Sequence, residues 1–123
     1  MAQVQRKVVL CNMKVAEILL LPGTQDFTPS VQIPNGCTKI TVQFMYHDID
    51  HPVCCTMYQS LDGVNFDECR TIDELPVYIQ LDIDSVSMTL NVSELLTSWI
   101  RFLVNTGDAT QGTLDKFMVL FGN

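Results

Sequence analysis

The chain has 123 residues, 47% of them hydrophobic and 17% charged, enough apolar material for one buried core and too little length for a second. Seven basic against fourteen acidic residues leave a formal net charge of −7. That balance excludes nonspecific binding to nucleic acid or to an anionic membrane, where the phosphates would repel the protein.

Arg6, Lys7 and Lys14 put three positive charges into residues 1–14, which hold no acid. The rest of the chain has four basic and fourteen acidic residues, a net −10. Residues 1–14 therefore read as a basic N-terminal arm or a first strand, the arm being suited to an acidic neighbour. The apolar run after Lys7, Val8-Val9-Leu10, is shorter than a signal peptide needs, and Ile18 to Pro22 is too short to cross a bilayer. The sequence is thus expected to carry no targeting or membrane segment.

Short apolar runs follow at Ile18–Leu21 and Val31–Ile33, divided by Pro22-Gly23 and closed by Pro34-Asn35-Gly36. From Lys39 the pattern becomes strictly alternating: Ile40, Val42, Phe44 and Tyr46 on one side, Lys39, Thr41, Gln43 and Met45 on the other. Period two predicts a half-buried strand. His47-Asp48-Ile49-Asp50-His51 comes next and contains both histidines of the chain. His47, Asp48, Asp50 and His51 are the densest set of possible metal ligands, but Pro52 and the flanking strands favour a polar hairpin connection.

Val53–Tyr58 predicts the return strand, and Asp62-Gly63 a tight turn. Thr71–Leu75 and Ser93–Leu96 have room for single helical turns at most. Between them lie runs at Val77–Leu81 and at Val86, Met88, Leu90 and Val92, the second alternating with Ser85, Ser87, Thr89 and Asn91. Asp82 and Asp84 flank Ile83 and predict a solvated strand edge, with Ile83 inward. Trp99–Val104 predicts another strand, with Trp99 and Arg101 on one face and able to stack on a sugar or a base.

The last run is apolar on both faces: Phe117, Val119 and Phe121 on one, Leu114, Met118 and Leu120 on the other. Such a strand is covered twice, and a neighbouring subunit is one candidate cover. Arg6, Lys7, Lys14, Phe117, Val119 and Phe121 are accordingly the candidate interface residues.

Strands every eight to twelve residues, with turn residues between, predict an all-β single domain over residues 1–123. The expected form is an antiparallel β-sandwich, jelly-roll-like, of about eight or nine strands. Five cysteines, with no C-x-x-C pair, fit free thiols rather than a disulfide framework or a zinc site. Cys54 and Cys55 point to opposite faces of their strand. No G-x-S-x-G elbow or phosphate-binding glycine loop is present, so neither catalysis nor a cofactor is expected.

Gln59-Ser60-Leu61-Asp62-Gly63-Val64-Asn65-Phe66, together with Trp99-Ile100-Arg101-Phe102 and the Gly107–Leu114 segment, resembles small β-sandwich virion proteins of tailed bacteriophages. The resemblance covers roughly the C-terminal two-thirds. It implies a non-enzymatic auxiliary or decoration protein, made in the host cytoplasm and located in the virion, whose partners are the major capsid protein, other virion proteins and sister copies. An alternative is a carbohydrate-binding sandwich of a phage fibre or tail, with an aromatic platform at Trp99, Tyr58 or Tyr78.

Overall fold

Two antiparallel sheets face each other in the computed structural model, which describes residues 18–19, 23, 25–71, 73–93 and 95–122. The strands are β1 (Ile18–Leu19), β2 (Gln25–Phe27), β3 (Val31–Gln32), β4 (Lys39–His47), β5 (Val53–Ser60), β6 (Asp67–Glu68), β7 (Tyr78–Leu81), β8 (Ser87–Val92), β9 (Trp99–Asn105) and β10 (Thr113–Gly122). One sheet runs β1-β10-β4-β8. The other runs β2-β9-β5-β6, with β3 also on β9 and β7 also on β5. The fold is an antiparallel β-sandwich, as the alternation predicts.

The core lies where the inward faces meet. Ile40, Val42, Phe44 and Tyr46 of β4 are buried, as are Val53, Cys55 and Met57 of β5 and Ile100, Phe102 and Val104 of β9. Phe44 and Phe117 stack at 5.3 Å between centroids. Phe102 comes from the opposite sheet and meets both edge-on, at 5.2 and 5.6 Å. Such offset and edge-on pairs add attraction between ring edges and faces to the burial itself. Thr28 secures Phe102 from the kink between β2 and β3: its backbone N–H donates to the Phe102 carbonyl at 2.8 Å and its Oγ1 accepts the Phe102 N–H at 2.9 Å.

The last strand corrects the interface expectation. Phe117, Val119 and Phe121 face the interior and are buried core residues, so they offer no surface to a neighbour. Leu114 is buried beside them although it has the opposite parity. A bulge explains this: the register against β4 slips between Leu114 and Lys116, so the residues before and after it share one face. Met118 and Leu120 are left on the outer face, partly covered.

Two further expectations change. Val86 precedes β8 and stands 65% exposed, and Ile83 is exposed in the turn after β7 rather than inward. Thr71 is tied to Glu74 and Leu75, with Glu74 N–H on the Thr71 carbonyl and Thr71 N–H on the Leu75 carbonyl, and no helix forms among the described residues.

At one end of the sandwich the segment 47–52 docks on the loop 105–112. Asp50 accepts the Thr110 backbone N–H at 2.8 Å and the Thr110 hydroxyl. Ile49 and Ala109 are buried between the two loops. Those donors, together with His51, hold the Asp50 pKa down to about 2. The stabilising charge is complete above the ordinary carboxylate range near ~4 and is lost as pH falls through the lower folded value. Asp50→Asn is therefore expected to flatten the acid limb of the stability curve, read from unfolding midpoints between about pH 5 and pH 1. An unchanged limb would remove Asp50 from the account.

Candidate binding surface

The hairpin loop after β5 is built by one carboxylate. Asp62 Oδ1 accepts the backbone N–H of Val64 and Asn65, each at 2.8 Å, and the Ser60 hydroxyl at 2.8 Å. Asn65 Nδ2 donates to Asp62 Oδ2 at 2.8 Å. Ser60 Oγ in turn accepts Gly63 N–H at 2.9 Å. These donors, the Asn65 and Val64 amides foremost, hold the Asp62 carboxyl far below its usual range. The loop thus closes on itself, an Asx-type turn in which side chains replace strand pairing.

The turn also shuts a surface that the sequence leaves open. Gly63 has φ +78, and a Cβ there would lie 2.8 Å from the Trp99 ring. The loop backbone therefore lies on the indole, and Trp99 is not a free stacking platform. Arg101 is likewise occupied within the chain: its guanidinium lies 3.7 Å from the Phe27 ring centre and 4.1 Å from that of Phe66. Tyr58 meets Phe27 edge-on at 5.2 Å. The outer face of the larger sheet is a second, small aromatic layer, held by cation–π stacking.

Besides Ile83 and Val86 in the turn before β8, the large apolar residues left uncovered among those described include the rim beside that hairpin. Leu61 is 76% exposed, Val64 77%, Leu96 87% and Tyr78 53%, with Leu75 also exposed. Thr97 Oγ1 donates to the Ser60 carbonyl at 2.8 Å and Ser98 N–H to the same oxygen at 3.2 Å, which brings the connection bearing Leu96 against the hairpin. Two hollows adjoin at Gln59 and Leu96. The one of about 440 Å³ includes Leu61, Asp62 and Asn65. The one of about 580 Å³ lies between β8 and the β6–β7 side, with Tyr78, Arg70 and Asn91 in its walls. Sequence reasoning missed Leu61, Val64, Leu75 and Leu96. Their one signal is that they are large apolar residues inside turn segments, outside any alternation.

The histidine segment is not gathered for a metal. His47 Nδ1 lies 2.7 Å from Asp115 Oδ2 on β10, while its Nε2 is 3.8 Å from Asp48. His51 lies 3.4 Å from Asp50, whose carboxylate is engaged by Thr110. Among the described residues no three His, Cys, Asp or Glu side chains gather in metal-holding groups. Cys37, Cys54, Cys55 and Cys69 are free thiols, and burial pushes Cys55 and Cys69 up from their usual pKa, away from the reactive thiolate. Arg6, Lys7 and Lys14 lie outside the described residues.

No protein-family model matches the chain, and no curated protein matches it in sequence. Among solved structures it is similar to TmCBM61 in complex with β-1,4-galactotriose, at 15% identity, with a TM-score of 0.44. The match covers 95% of this chain and 86% of that one.

Proposed function

We propose that the chain is a non-enzymatic structural protein of a tailed-phage virion, attached to the capsid surface through the rim around its Asp62 hairpin. The observation that carries this is the exposed apolar set Leu61, Val64, Leu75, Tyr78 and Leu96 at one edge of a sandwich whose other large side chains are mostly covered. Exposed apolar residues so placed mark a docking surface, and an interface of ordinary size needs about 800 Å² from each partner. The resemblance of the 59–66 hairpin to virion sandwiches supports the identity of the partner.

The test is sedimentation of the purified protein with phage heads that lack it. Leu61→Asp with Leu96→Asp is expected to weaken attachment at least about tenfold, because both side chains would be buried on docking. The fold should be unaffected, since both project into solvent. Attachment equal to wild type, or no attachment of the wild type, overturns the proposal.

One observation favours a second reading, carbohydrate recognition. Tyr78 presents a half-exposed ring beside Gln59, Arg70 and Asn91 in the larger hollow, an aromatic surface with amide and guanidinium groups nearby. Binding on a glycan array that disappears in Tyr78→Ala would favour it. Trp99→Ala is no test, because the indole lies under Gly63.

A further inference from the structure

Strand β8, Ser-Met-Thr-Leu-Asn-Val, ends the four-stranded sheet. Its register fixes which backbone groups are used. Tyr46 N–H donates to the Val86 carbonyl at 3.0 Å, and Phe44, Val42 and Ile40 face Met88, Leu90 and Val92 in the same phase. Antiparallel ladders alternate bonded and non-bonded pairs, so the N–H and C=O groups of Ser87, Thr89 and Asn91 point away from β4, to a side where no strand among the described residues pairs with them.

Sheet edges are ordinarily blunted by charge, proline, a bulge or brevity. Strand β8 has none of these: its residues are uncharged, it contains no proline, and its pairing with β4 runs without a slip from Ser87 to Val92. The other edge strands are shorter or charged: β7 is uncharged too but has four residues against six, and β3 has two. β1 has two residues, β2 has three and includes Asp26, and β6 is the acidic pair Asp67–Glu68. In a chain of net charge −7, an uncharged edge is where two copies approach without opposing carboxylates across the new pairing.

We infer that β8 pairs with β8 of a second copy, antiparallel about a two-fold axis, so that the two four-stranded sheets become one continuous sheet. With the axis at Thr89, Ser87 of each copy faces Asn91 of the other, and the same patch serves both sides, as a two-fold contact requires. This goes beyond the virion reading and does not depend on it, because pairing takes place between free copies.

Sedimentation velocity of the full chain across micromolar concentrations tests it, and a concentration-dependent dimer is expected. Thr89→Pro removes one outward N–H while keeping the β4 ladder, because that N–H is not used there, and should weaken the dimer at least about tenfold. Thr89→Glu places like charges across the axis and should weaken it too, with added salt restoring part of the loss. Should Thr89→Pro fail to fold, Thr89→Glu decides. A wild type that stays monomeric, or variants that dimerise as the wild type does, overturns the inference. Attachment to phage heads is read separately, so failure of one leaves the other to its own measurement.

Discussion

Phe102→Ala is expected to destabilise the fold by about 3–5 kcal/mol, the range for a fully buried aromatic cut back to a methyl. Phe102 has no exposed surface and is the ring through which the larger sheet meets Phe44 and Phe117. Truncation leaves a void between two sheets whose backbones are fixed by long ladders, so little collapse can offset it. The hydrogen bonds from Thr28 involve only the Phe102 main chain and survive the change. Chemical denaturation should show a lowered midpoint at an unchanged slope. A loss under about 1 kcal/mol would mean that the sheets are held chiefly elsewhere.

Gly112→Ala should cost about 2–4 kcal/mol, combining a disfavoured backbone with an overfilled contact. Gly112 has φ +123, a region that residues with a Cβ rarely adopt. An added Cβ would lie 2.5 Å from Ile49 Cγ2 and 3.0 Å from Ile49 Cα. The side-chain contact can relax, but the main-chain contact cannot without undocking segment 47–52 from loop 105–112. The accompanying signature is faster amide exchange around Ile49 and Thr110, with the β4–β10 ladder still protected. Uniform loss of protection would point to a global effect instead.

Legibility in the sequence tracks the length of an uninterrupted period. β4 and β8 are readable because six or more residues alternate without a break, and structure and sequence agree there to within a residue or two. β2, β3 and β6 are two or three residues long and defined by their partners, so no period exists to be read. The last strand is readable as a strand but not in its facing. The bulge near Asp115 brings Leu114 to the same side as Phe117, and that slip comes from pairing with β4 rather than from residue type. Asp62-Gly63 marks the hairpin correctly, yet only three dimensions show that its backbone lies over Trp99. The rim leucines escape notice because exposure is a property of the packed object, and a turn segment with one leucine carries no periodic signal.

The Asp62 loop carries one more consequence. The hydrogen bonds of the Asp62 carboxylate and the Ser60 hydroxyl begin and end within residues 60–65, and the side chains of Leu61 and Val64 take no part in them. Backbone shape and outward chemistry are thereby uncoupled at that tip. Residues 61 and 64 can drift to new identities, or be randomised in a library, while the scaffold beneath keeps its geometry, which makes the hairpin a natural place for new specificities to arise.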